Sequence, residues 1–154
     1  MRRLLVLLFV LLPIAANAQS YIHVGPAAYP MNAWGAVVIG DFQVASLAPR
    51  LTLGLGAMAF GNTTKTHDEP DPGKRVNAIY VAPQLSLRYA FTDKFNGYLR
   101  GGAGWLGTKK EGTDLINDFW YNGVAGLGHS LGSRFGLYIE GGLPFSSVGV
   151  RFKL

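Results

Sequence analysis

Large apolar residues alternate with small or polar ones along most of this 154-residue chain, in segments of about ten residues separated by turn chemistry. In the stretch 76–91, Ile79, Val81, Leu85, Leu87, Tyr89 and Phe91 share one parity, and Ala78, Tyr80, Ala82, Gln84, Ser86 and Arg88 the other. Leu51, Leu53, Leu55, Ala57 and Ala59 likewise stand against Thr52, Gly54 and Gly56. The pattern repeats in 135–145 and again at Val148, Val150, Phe152 and Leu154. Successive strand residues point to opposite faces, so each segment reads as a strand with one greasy face and one polar or tiny face. Gly interrupts nearly every run, and no amphipathic helix pattern survives it. Eight strands are predicted, over 20–25, 34–44, 49–61, 76–91, 95–107, 117–131, 134–144 and 146–154.

The first residues are of another kind. Arg2 and Arg3 precede an apolar run from Leu4 to Ile14, and Ala16-Asn17-Ala18 supplies the small residues of a cleavage site. This predicts a secretory signal peptide over 1–18, cut before Gln19, and one domain over 19–154. The apolar run is too short for a spanning helix, which needs about 20 residues. Removing 18 residues leaves 136, with 12 Lys and Arg against 9 Asp and Glu. A surplus that small implies no nucleic-acid partner. With no Cys there is no disulfide framework, zinc–thiolate site or thiol nucleophile.

The connections sort by length. Thr92-Asp93-Lys94, Gly132-Ser133 and 45–48 are tight, 26–33 is intermediate and Pro-rich, and Gly61–Arg75 and Thr108–Leu115 are long and charged. Short and long connections alternate in an up-and-down transmembrane barrel, whose turns face the periplasm and whose loops face outward. The last connection, near Leu143 to Ser146, breaks the alternation by being short on the outer side. Aromatics fall at the strand ends: Tyr21, Phe42, Tyr89, Phe91, Phe95, Phe135 and Phe152 at one, Trp34, Phe60, Trp105, Phe119, Trp120, Tyr121 and Phe145 at the other. Two such girdles are expected at the two membrane–water boundaries. A soluble sandwich would instead concentrate its aromatics in mid-strand. Pro83, inside a predicted strand, calls for a bulge or a rim position because it cannot donate to a ladder.

The stretch Tyr98-Leu99-Arg100-Gly101-Gly102-Ala103-Gly104-Trp105 resembles the glycine-rich fifth strand of small outer-membrane barrels. Asn122–Gly128, Leu137-Tyr138-Ile139-Glu140 and the closing Val148-Gly149-Val150-Arg151-Phe152 share the likeness. On these residues the chain resembles the OmpA-like and opacity-type eight-stranded barrels, most clearly over 76–154. The resemblance implies an all-β, antiparallel, up-and-down transmembrane β-barrel in the outer membrane, assembled by the barrel-assembly machinery and surrounded by outer-membrane lipids. The chain departs from the family at its end, which is Leu154 where members usually carry Phe.

Barrels of eight strands are filled by side chains, so a general porin is not expected. With the apolar sets facing lipid, Arg88, Arg100, Glu140 and Arg151 turn inward as a polar network, with Lys153, Gln84, Asn122, Tyr98, Tyr138 and Asp41 beside them. Glu140 is expected to pair with Arg100 or Arg151, since unpaired buried charge is costly. Inward Gly54, Gly56, Gly102, Gly104, Gly126, Gly128, Gly136 and Gly142 would leave room for the long side chains.

No catalytic, cofactor or metal constellation stands out. Some barrels of this size are lipid A deacylases built on a His, a Ser two residues on and a Glu. His129, Ser130 and Glu140 invite the comparison, but neighbouring strand residues face opposite ways. An outer-membrane lipid-modifying enzyme using His129 is therefore the alternative, not the leading reading. The cluster His67-Asp68-Glu69-Pro70-Asp71 lacks the spacing of a calcium loop. Lys65, Lys74, Arg75, Lys109 and Lys110 fall in predicted surface loops, 61–75 and 108–115, where an extracellular ligand would bind. The expected role is structural or adhesive, as a monomer. A soluble periplasmic barrel binding an apolar ligand would need the two faces inverted.

Overall fold

A computed structural model describes residues 20–29, 33–65 and 73–154 of the chain. The predicted leader and its cleavage site, and the His67–Asp71 cluster, lie outside the described residues. Eight strands follow one another: β1 Tyr21–Tyr29, β2 Ala33–Ala48, β3 Leu51–Lys65, β4 Arg75–Ala90, β5 Phe95–Lys110, β6 Ile116–Ser130, β7 Phe135–Leu143 and β8 Ser146–Lys153. Each pairs antiparallel with its sequence neighbours, and β8 returns to β1 to close the barrel. The seam runs from Tyr21↔Lys153 to Ala28↔Ser146, and the amide of Leu154 donates to the Ser20 carbonyl (3.0 Å) just beyond it. Closure leaves no sheet edge around the band it encloses, the condition for strands to cross a bilayer.

The tight turns are made by local chemistry. Thr92 Oγ1 accepts from the amides of Lys94 (3.3 Å) and Phe95 (3.0 Å), while the amide of Phe91 donates to the Phe95 carbonyl. At the opposite end Gly73 and Gly112 adopt positive φ, a conformation that costs glycine little.

Alternation is realised as two faces. Val38, Leu55, Ile79, Val81, Leu85, Leu99, Leu127, Leu137, Ile139 and Val148 are exposed on the outside. A belt of exposed aliphatic side chains around a closed barrel is the surface of a transmembrane barrel, because lipid tails, not water, cover it. Aromatics bound the belt. Tyr89, Phe91, Phe95 and His129 form a chain of ring contacts at the end of the tight turns, with Phe135 against Phe152 nearby. Trp34, Trp105, Phe119 and Tyr121 are exposed at the other end.

Three of the predicted girdle residues are not in it. Tyr21, Phe60 and Phe145 are 5%, 3% and 2% exposed and point into the barrel. Tyr21 and Phe60 have the parity opposite to that of the apolar sets of their strands, so alternation outweighs position along the strand. Phe145 follows the Leu143–Pro144 turn, where the parity restarts, and shares the inward face of Ser147 and Arg151. Lys153, expected inward, is exposed at the rim as the last residue of β8.

The strand ends also move. β1 runs on through Pro26 to Tyr29, taking up part of the connection expected over 26–33, and β3 and β5 reach Lys65 and Lys110. Pro83 makes no bulge. The β4–β5 ladder skips Ala82 and Pro83 and resumes at Gln84↔Gly102 in the register it held at Val81↔Trp105. Pro26 does the same on the β1–β8 side, between Val24↔Val150 and Ala27↔Ser147. Two ladder pairs are missing at each proline, and its neighbours keep their faces. The register shifts occur in β2 instead, between Gln43 and Ala45 and between Ser46 and Ala48.

Candidate functional site: the filled lumen and the basic rim

The interior has two layers. Toward the loop end, Ala27, Val37, Ile39, Met58, Phe60, Tyr80, Ala82, Val124 and Phe145 form an apolar cluster, with Leu106 packed against it. The rings of Phe60 and Phe145 stack at 5.7 Å and 3° between planes. Beneath this plug the Gln84 and Asn122 amides exchange two hydrogen bonds (3.0 and 3.1 Å), and the Tyr80 hydroxyl donates to Asn122 Oδ1 (3.2 Å).

The lower layer is charged. Arg100 pairs with Glu140 Oε2, which also accepts from the Tyr98 hydroxyl (3.0 Å), and Ser147 donates to Glu140 Oε1 (2.8 Å). Arg88 pairs with Asp41 Oδ2, and Ser86 donates to Asp41 Oδ1 (2.7 Å). Among the described residues, Arg151 meets no carboxylate. Its Nη1 and Nη2 donate to Asn96 Oδ1 and Ser130 Oγ, both at 3.0 Å. The Arg88 and Arg151 guanidiniums both lie against the ring of Tyr21, 4.2 and 5.0 Å from its centroid.

Close approach of side chain to wall explains two of the glycines. A Cβ at Gly126 would fall on the ring of Tyr98, and one at Gly128 on the Arg151 guanidinium. Gly128→Ala is expected to cost about 1–3 kcal/mol, the usual penalty for overpacking. Urea unfolding followed by tryptophan fluorescence would show it, while an unchanged midpoint would mean that Arg151 is not held there.

The four residues predicted for the lumen, Arg88, Arg100, Glu140 and Arg151, therefore lie in one layer but form two ion pairs and one acid-free arginine. The partner of Arg88 is Asp41, which parity placed inside but did not assign. Sequence reasoning missed His23 altogether. It is fully buried between Tyr138 and Tyr98, at ring distances of 4.8 and 5.8 Å. Its parity, opposite to Ile22 and Val24, was the signal available.

His129 and Ser130 lie on opposite faces of β6. His129 is exposed beside Phe95, and Ser130 holds Arg151 inside. The two do not form a common site.

The five basic residues expected in surface loops are mostly on strand ends. Lys65↔Arg75 is the last β3–β4 pair, Lys109 and Lys110 face Asn77 and Val76 across β4–β5, and Lys74 directly precedes β4. The ladders hold them because β-branched and polar residues, Thr63, Thr64, Val76 and Asn77, continue the strands past the aromatic belt. Glu111 joins the group, its amide donating to the Arg75 carbonyl at 2.9 Å. The barrel is consequently lopsided. β2 to β6 are 15 or 16 residues long, whereas β1, β7 and β8 have 9, 9 and 8.

No protein-family model and no curated protein matches this chain. Solved structures do. The crystal structure of Neisserial surface protein A is similar over 89% of this chain and 96% of its own, at 9% identity and a TM-score of 0.57. The likeness is one of fold. A de novo designed transmembrane β-barrel matches 88% of this chain and 95% of its own (16% identity, TM-score 0.48). Ail, the attachment invasion locus protein of Yersinia pestis, matches 89% and 97% (10% identity, TM-score 0.49).

Proposed function

We propose that this chain is a monomeric outer-membrane barrel with a structural or adhesive role, recognising its partners through the tall β3–β4–β5 wall. The observation that carries the reading is the combination of a plugged lumen with a basic rim. Phe60, Phe145 and the ion-pair layer fill the lumen with side chains, whereas Lys65, Lys74, Arg75, Lys109 and Lys110 crown three neighbouring strands. Lys and Arg so grouped attract phosphate or sulfate groups, on outer-leaflet lipids or on an extracellular polyanion. Fold similarity to a Neisserial surface protein supports the outer-membrane placement. In that placement the tight turns and both strand termini face the periplasm, biogenesis passes through the barrel-assembly machinery, and no cofactor or catalytic group is involved.

The test begins with detergent dependence and gel mobility of the chain from Gln19, boiled and unboiled. A heat-modifiable band that requires detergent is expected, and planar bilayers containing the protein should show no steady conductance. Protein that is monomeric and soluble without detergent would overturn membrane insertion. For the rim, binding of dextran sulfate to the reconstituted barrel should drop at least tenfold when all five basic residues become Ala. Equal binding by the two forms would remove the rim from the proposal and leave a structural role.

A further inference from the structure

The polar layer of the lumen is unbalanced in charge and in hydrogen bonding. Among the described residues, Arg88, Arg100 and Arg151 are all buried there against two carboxylates, Asp41 and Glu140. Both carboxylates already have an arginine partner. Asp41 takes Ser86 and Arg88 on its two oxygens, and Glu140 takes Ser147 on one and Tyr98 with Arg100 on the other. Arg151, 1% exposed, is satisfied only by the neutral Asn96 and Ser130.

Buried groups without partners concentrate in the same place. They include Arg88 Nε, Arg100 Nε and Nη1, Arg151 Nε and both ring nitrogens of His23. The residues are neighbours. Tyr21 touches Arg88 and Arg151 through its ring and lies 6.2 Å from His23, and Tyr98 touches Arg100 and lies 5.8 Å from His23. His23 is moreover within electrostatic range of all three arginines.

We infer that this layer binds one monovalent anion of halide size, held by His23 and the unpaired N–H groups of Arg88, Arg100 and Arg151. Guanidinium groups only donate, so what completes them must accept. Water accepts but brings hydrogens that need acceptors in turn. Water also leaves the charge surplus in place, which a low-dielectric interior penalises heavily. An anion answers both demands at once. It must be small, because the rings of Tyr21, Tyr98 and Tyr138 close around His23 and the Phe60–Phe145 plug closes the layer from above.

Thermal unfolding of the detergent-folded protein in bromide, compared with isethionate at equal ionic strength, tests this. Above the dissociation constant each tenfold rise in bromide should lift the midpoint by about 4 °C, by mass action on the folded state alone. Arg151→Met leaves the lumen with two arginines and two acids. It should abolish the bromide dependence whatever it does to the midpoint itself. A Lys94→Ala variant, altered only in an exposed turn, should keep it.

Equal midpoints in bromide and isethionate would overturn the proposal, as would a bromide effect that survives in Arg151→Met. If Arg151→Met does not fold, crystals of the unaltered protein grown in bromide decide the matter. An anomalous peak beside His23 establishes the site, and its absence there refutes it.

Discussion

Replacing Arg100 by Met should destabilise the barrel by about 3–5 kcal/mol, because it leaves Glu140 charged and unpaired in the lumen. Ser147 and Tyr98 would still donate to the carboxylate, but neither carries charge. The expected signs are a lower urea midpoint in lipid bilayers and loss of the compact unboiled gel band at a lower temperature. Glu140→Gln alone strands Arg100 in the same way and should cost a similar amount. The double variant Arg100→Met/Glu140→Gln should recover most of the loss, since neither charge then remains to be desolvated. A buried pair that breaks badly from one side and mildly from both is the signature of desolvation, not of a strong net attraction. Single variants with unaltered midpoints would show that the pair is hydrated in solution. The interior would then be a wet channel.

The second large effect is expected at the outer surface. Leu99 lies on the outward face of β5 and is 60% exposed, about midway between Phe95 and Trp105, which mark the two aromatic boundaries on that strand. Leu99→Arg should cost about 2–4 kcal/mol in a bilayer, the range for a cation on the lipid face at the midplane of a barrel. The same substitution nearer an interface, at Ile79 beside the loop end of β4, should cost about 1 kcal/mol or less. On a water-soluble barrel both would be ordinary surface changes, within about 0.5 kcal/mol of neutral. Depth dependence separates a membrane-spanning barrel from a soluble one with exposed aliphatics. Reversible unfolding of both variants from phosphocholine vesicles measures it. Equal, near-zero costs would contradict the membrane reading even if the fold is right.

The parts of the architecture legible in the chain were those set by parity. Arg88, Arg100, Glu140 and Arg151 could be turned inward from alternation alone, because strands that turn Leu87, Leu99, Ile139 and Phe152 outward must turn their immediate neighbours to the lumen. Where a second rule competed, parity won: Tyr21 and Phe60 stand at strand ends, as girdle residues do, yet face inward. Pro83 was read as a local disturbance, but both neighbouring registers persist through it, since the strand is held by long ladders on either side. Extension of β3 and β5 past the membrane band was hidden by the polarity of Thr63, Thr64, Thr108 and Lys109. Polarity there signals water, not the end of a ladder.

By itself, the sequence determined the number of strands, their antiparallel order and, away from the strand ends, which side chains go in or out, because a period of two acts between nearest neighbours and needs no distant contact. Only the tertiary structure decided who meets whom inside. Asp41 with Arg88, Glu140 with Arg100 and Arg151 with Asn96 and Ser130 depend on the stagger with which strands far apart in sequence are brought round the barrel. The same closure set three arginines and His23 against two carboxylates in one layer. Parity can place a charge in the lumen, but a one-dimensional pattern carries no height, and height in the barrel selects the partner.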